Sequence, residues 1–254
     1  MVSSGRIFLL VLIAGLWSCS AAQQTTTAPG SSTPASQGQT LPSAPEEQVQ
    51  KQEQSQRIMG IVPMFAVTSR QNAPPLTTRE KFHLMAKQVT DPFTFVAAGL
   101  QAGIGQATNE FSGYGQGAAG YGKRYGATFA DQASGQFFSN FFYPTLFKED
   151  PRYFRDGEGT VKHRIRYALT QEFVCHTDAG GRSFNWSNVL GAFTTGGLSN
   201  VYYPSTDRGF GLTMSRSAIA LAYGSAGGLM QEFWPDVQRK VFHKQPQLPQ
   251  SPAR

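Results

Sequence analysis

Cysteine is nearly absent from this chain: Cys19 and Cys175 are the only two. Cys19 lies at the N-terminal edge, so no intrachain disulfide is expected in the folded part, and stability has to come from packing. Cys175, inside the apolar stretch Phe173, Val174 and Cys175, reads as a small buried hydrophobe. Charge is also scarce, at 15% of residues. The four histidines are scattered at positions 83, 163, 176 and 243, and neither an HExxH pattern nor a paired-cysteine spacing occurs. A metal site is therefore not expected. The GxSxG turn of serine hydrolases is missing too, and Ser225, the nearest candidate, sits in a helical setting. No catalytic residue can be named and no cofactor is expected.

Long apolar runs are missing as well. The stretch from Ile7 to Trp17 is shorter than the roughly 20 residues of a permanent membrane anchor. It follows Arg6 and precedes Ser18, Ser20, Ala21 and Ala22, the order of a secretory signal, so residues 1–22 are expected to direct export. Two processing routes compete. Leu16, Trp17, Ser18 and Cys19 resemble a lipoprotein box, which would lipidate Cys19, whereas Ser20 and Ala22 fit ordinary cleavage before Gln23. Residues 23–56 are almost entirely Gln, Thr, Ser, Pro, Ala and Gly, a composition too polar to order itself, and are expected to form a disordered linker or tether. Residues 245–254 read as a disordered tail.

What remains, residues 57–244, suits one domain. It holds 19 Lys or Arg against 13 Asp or Glu, which accounts for the whole excess of +6. The basic residues are not interleaved with aromatics as in a single-strand-binding groove, so a nucleic-acid partner is not expected. Membrane lipid or an envelope protein is the expected kind of partner.

The 27 glycines set the architecture. The expectation is a mainly α, single Gly-rich bundle of about five or six helices. Ala118, Gly122, Gly126, Ala130 and Ser134 recur every four residues, beside Tyr121, Tyr125, Phe129 and Phe137. Gly99 with Gly103, Ala192 with Gly196, and Gly224 with Gly228 repeat the device, giving small-xxx-small faces that let backbones approach. Thr77 and Glu80 have capping-box spacing ahead of Phe82, Met85 and Val89. Asp91 and Pro92 start another helix, with Phe93, Val96, Leu100 and Ile104 on one stripe. A break is expected at Pro144, a helix from about Thr160 to Phe173, a turn at Asp178 to Arg182, a helix from Ser187 to Tyr202, and a last one from Leu212 to Phe233 with Pro235 as stop or kink. An outer-membrane barrel is disfavoured, since ten-residue alternation and regular hairpin signals are absent. The charge-free stretches Pro92 to Asn109 and Ser183 to Thr206 contain Gln101, Gln106, Asn185, Asn188 and Asn200. Two readings stay open there: a Gly-rich soluble bundle, or helices partly inserted into an envelope membrane.

Gly115, Gly117 and Gly120 satisfy GxGxxG, but no buried strand leads into them and no acid follows at the required distance, so helix packing is the expected cause. The densest polar constellation runs from Lys148 to Arg166. A ligand site, if present, is expected there, with Arg152, Arg155 and His163 as donors and Arg208 joining through Asp207 and Gly209.

The segments DPRYFR (150–155), SNVYYP (199–204) and DRGFG (207–211), preceded by YGQGAAGYGKRYG, resemble those of a family of uncharacterised exported bacterial proteins, over roughly Arg57 to His243. The resemblance implies the bacterial cell envelope, periplasm or outer membrane, and brings no activity, cofactor or catalytic residue. The resulting expectation is a non-enzymatic, membrane-associated envelope protein with a structural or interaction role. The rival is an exported hydrolase or small-molecule or anionic-ligand binder using Asp150 to Arg166.

Overall fold

The computed structural model describes residues 57–58 and 62–242. The expected signal, Cys19, the linker, Met59 to Ile61 and the C-terminal tail lie outside the described residues.

The described chain is mainly helical, with six helices of ten residues or more, as expected. It opens with a short antiparallel pair, β1 (Arg57–Ile58) and β2 (Val62–Pro63). Strand β3 (Val67–Thr68) follows and pairs in parallel with the distant β4 (Tyr153–Phe154). Helix α1 (Thr78–Val89) starts on the expected capping box: the Glu80 amide donates to Thr77 Oγ1 at 3.3 Å, and the Thr77 amide donates to Glu80 at 2.8 Å. Helix α2 (Pro92–Ala107) starts where Asp91 accepts the Phe93 amide at 2.9 Å. After a 3₁₀ turn at Ser112–Tyr114, helix α3 (Gly117–Phe137) runs into a π-helical turn (Phe138–Phe142) and a short helix α4 (Tyr143–Phe147).

Pro144 does not break the chain there. The π turn has already shifted the hydrogen-bond register, with the Tyr143 amide donating to the Phe138 carbonyl, and Pro144 occupies the first turn of α4, where its missing N–H costs little. The break comes at Lys148, which takes a left-handed conformation with φ 55°. Helix α5 (Val161–Thr170) is capped by Thr160, as its position predicts. The expected Asp178 to Arg182 turn closes a hairpin, β5 (Val174–His176) with β6 (Arg182–Phe184), that the sequence did not announce. Gly180 supplies the required positive φ of 80°. Helix α6 (Trp186–Leu198) packs on α7 (Phe210–Phe242), the longest helix.

Pro235 lies inside α7 instead of ending it. The neighbouring carbonyl of Glu232 receives two guanidinium donors, Arg155 Nε at 2.9 Å and Arg164 Nη2 at 2.6 Å. Side chains from α5 and the loop before it thus tie down α7 one turn before the proline.

The small-residue faces pack unevenly. A Cβ on Gly191 would meet Ser139 Oγ at 2.0 Å, and one on Gly196 would meet Ser217 Oγ at 2.6 Å, so the π turn and α7 press directly on the backbone of α6. Gly228 brings α7 to within 3.1 Å of the Ala168 carbonyl of α5 by the same measure. On α3 the expectation fails: a Cβ on Gly122 or Gly126 would touch nothing within 4 Å, and that stripe faces outward.

Apolar packing inside is divided into small groups. Met64, Val67 and Tyr153 form one, Phe65, Leu76 and Leu84 a second, and Tyr114, Ala127 and Tyr203 a third. The rest of the interior mixes small apolar residues such as Ala98, Ala102 and Ala168 with buried polar side chains.

Candidate functional site

The segment from Asp150 to Arg166 folds against α7 as a buried ion network. Asp150 holds Arg152 through both carboxylate oxygens, with Nη2 at 2.6 Å, and Arg152 also donates to the Pro74 carbonyl at 2.6 Å. Arg155 reaches Asp236 at 3.3 Å in addition to the Glu232 carbonyl. Arg164 donates to Glu232 Oε1 at 2.7 Å and to Asp236 at 2.6 Å. Glu232 is fully buried and also accepts Tyr153 Oη at 3.0 Å, the Asp156 amide at 3.1 Å and the Gly157 amide at 2.9 Å. Such saturation is what lets a carboxylate stay inside a protein. Burial and the facing Glu232 push the Tyr153 hydroxyl far up, whereas Asp236 is held below the usual carboxylate range: burial opposes ionisation there, and the bonds from Arg164 and Arg239 outweigh it.

His163 stands apart at the rim, 3.5 Å from Asp156. Arg208 is elsewhere, donating to the Tyr203 carbonyl at 2.6 Å. The four residues singled out in the sequence therefore do not converge on one open cavity. Those the sequence reading passed over are Glu232 and Asp236. Their signal was present: Gly224, Gly228, Glu232 and Asp236 continue a single four-residue ladder.

Two further polar knots lie deeper. Lys81, 2% exposed, sends Nζ to Asp178 at 2.7 Å and to the carbonyls of Glu149 and Pro144 at 2.8 and 3.2 Å. The Glu149 carboxylate accepts the Trp186 and Ser187 amides at the start of α6, where the helix dipole favours an anion. Glu172 differs from these, because its side-chain donor is the neutral Asn188 amide at 2.6 Å, and burial pushes its carboxyl up to about 8.

Segments 114–126, 199–204 and 207–211 meet around Asp131. Tyr202 and Tyr203 donate to its two oxygens at 2.5 and 2.6 Å, Tyr114 donates to the Tyr202 carbonyl at 2.9 Å, and Arg216 lies 4.0 Å over the Tyr203 ring. A shallow groove beside them is lined by Tyr114, Lys123, Gly126, Ala130, Tyr203 and Arg208. The GxGxxG turn cradles no anion site. Its space is filled by Arg124, which donates to the carbonyls of Gly115, Glu110 and Phe111 and to Gln106. Carbonyls, not amides, face the middle of the turn, the opposite of what a phosphate needs.

No family model, curated protein or solved structure matches the chain. Among the described residues, no group of three or more His, Cys, Asp and Glu side chains is placed to hold a metal ion.

The outer surface carries the most unusual arrangement. On α2 the stripe of Val96, Leu100 and Ile104 faces outward, Leu100 being 60% exposed, while Ala97, Ala98, Ala102 and Gly105 are buried. Phe82, Phe141, Phe137, Phe142, Tyr143 and Phe147 form one continuous chain of ring contacts, and four of the six are exposed. Val161, Ile165 and Leu169 on α5, Trp186 and Leu198 on α6, and Ile219, Tyr223 and Met230 on α7 are also exposed. On these helices large apolar groups are exposed while Glu149, Asp150, Arg152, Arg164 and Glu232 are buried. Exposed apolar side chains grouped on helix faces in this way are candidate contact surface. No helix among the described residues is long and apolar enough to cross a membrane.

Proposed function

We propose that this is an exported bacterial envelope protein, membrane-associated and non-enzymatic, whose helical domain seats its apolar exterior in one leaflet and serves there in structure or interaction. The observation that carries this reading is the outward stripe of α2, with Val96 57% and Leu100 60% exposed over a buried face of alanine and glycine. In water such a helix turns the other way, because burying those side chains is worth about 2 kcal/mol each. In lipid that gain vanishes, small residues take the helix contacts, and large apolar groups face the acyl chains. The buried networks around Glu232, Glu149 and Lys81 fit the same environment, since polar groups kept from both water and lipid must satisfy one another.

The test uses the exported protein with Cys19→Ser, so that no lipid anchor contributes, followed by alkaline carbonate extraction of the membranes. Retention in the membrane pellet is the expected result. Release into the supernatant would overturn the reading.

A further inference from the structure

Charge on this molecule is sorted by depth. Of the 13 Asp or Glu between Arg57 and Lys244, Asp91, Glu149, Asp150, Glu172 and Glu232 are buried, six are half-buried, and Glu110 and Glu158 are exposed. Nine cations are exposed: Arg79, Lys87, Lys123, Lys148, Lys162, Arg166, Arg208, Arg239 and Lys240. Among the described residues, exposed cations thus outnumber exposed acids nine to two. Several acids pair instead with buried cations, Asp150 with Arg152, Asp236 with Arg155, Glu232 with Arg164 and Asp178 with Lys81.

Helix α5 brings this cationic surface together with apolar side chains. It packs on α7 through Arg164 and Ala168, which are buried. On the outer side Val161 is 62% exposed, and Ile165 and Leu169 are exposed with it. At 100° per residue these three lie within an arc of about 80°. Lys162 and Arg166, one residue after Val161 and Ile165, border that arc on the side away from the protein. Phe173, also exposed, extends the apolar edge just past the helix. Apolar residues in one arc with cations beside them describe a helix lying in the plane of a bilayer surface, acyl chains under one flank and head groups against the other.

Resting on the membrane reading above, we infer that α5 docks flat on an anionic lipid surface, with Val161, Ile165, Leu169 and Phe173 entering the acyl boundary and Lys162 and Arg166 meeting lipid phosphates. Charge complementarity selects this occupant over a neutral bilayer. Glu158, the one exposed acid close by, precedes the helix and lies outside the apolar arc.

The experiment is co-sedimentation of the full-length exported chain carrying Cys19→Ser, so that no lipid anchor contributes, with vesicles of phosphatidylcholine alone, and of phosphatidylcholine with added phosphatidylglycerol. Partition into the anionic vesicles is expected to exceed partition into neutral ones and to fall as salt is raised. The double variant K162Q/R166Q is expected to lose about 30-fold on anionic vesicles, with binding to neutral vesicles and helix content unchanged. The double variant I165S/L169S should weaken binding to both kinds of vesicle, and its circular dichroism establishes that it is folded. Equal binding to neutral and anionic vesicles would overturn the anionic partner while leaving the membrane reading standing. Binding to neither would overturn both. Full binding by K162Q/R166Q to anionic vesicles would remove α5 as the docking element.

Discussion

Gly224 lies so close to Glu172 that a Cβ there would fall 2.1 Å from the carboxyl oxygen Oε1. The missing side chain is the space in which a buried carboxyl sits against α7, and that carboxyl has the neutral Asn188 amide as its hydrogen-bond donor.

From this follows a pH dependence. Burial raises the Glu172 carboxyl from 4.5 to about 8 in the folded protein. Between those values the unfolded chain has lost the proton and the folded chain keeps it, so stability falls as pH rises from about 4.5 to 8. His176 pulls the other way: burial, helped by Arg182, lowers it from 6.5 to about 4, so stability is lost as pH falls through that range. Above pH 6.5 the histidine is neutral in both states and the Glu172 effect persists. Denaturant midpoints should therefore decline between pH 6.5 and 8, and Glu172→Gln should flatten that decline. An unchanged slope in the variant would refute the assignment.

Removing Glu232 should be among the most damaging single changes. Glu232→Ala removes one of the two carboxylates that hold the buried Arg164, leaving only Asp236, and takes an acceptor from Tyr153, Asp156 and Gly157. The expected loss is about 3–5 kcal/mol, read by urea unfolding. A loss below about 1 kcal/mol would mean that the network is not closed in solution.

Glycines on neighbouring helices should behave oppositely. Gly191→Ala drives a methyl group into Ser139 and is expected to cost about 1–3 kcal/mol. Gly122→Ala adds its methyl where nothing lies within 4 Å and is expected to stabilise the helix by up to about 1 kcal/mol. Equal thermal shifts for the two would show that α3 is covered at Gly122.

The α2 stripe gives a test that separates folding from docking. Leu100→Ser changes a side chain that is already 60% exposed, so folding stability in water should move by under about 0.5 kcal/mol. Ala98→Leu fills a site with no exposure and should cost about 1–3 kcal/mol. A large loss on Leu100→Ser would mean that the stripe is inward and the inverted packing is wrong.

Local signals in the sequence carried most of the element boundaries. The Thr77 and Glu80 capping box, the Asp91 and Pro92 start and the Gly180 turn each depend on atoms within a few residues, and all appear where the spacing put them. Face direction did not come through. Phe93, Val96, Leu100 and Ile104 keep the same period whichever way the helix is turned, and only the surroundings decide that. The hairpin of Val174–His176 with Arg182–Phe184 was missed because three-residue strands leave no alternation to read. At the polar site, Arg152 pairs with Asp150 beside it, whereas the partners of Arg155, Glu232 and Asp236, lie some 80 positions away. Density along the chain marks the first kind of pair and carries no trace of the second.

The parallel pairing of Val67–Thr68 with Tyr153–Phe154 also constrains the order of assembly. Tyr153 is in turn fixed by Glu232, so three stretches from near the start, middle and end of the domain must be present before that junction closes. Loop closure over such distances slows folding. The N-terminal arm can pair early with Asp91 and Leu84, but the β3 junction commits only when α7, the last helix, is in place.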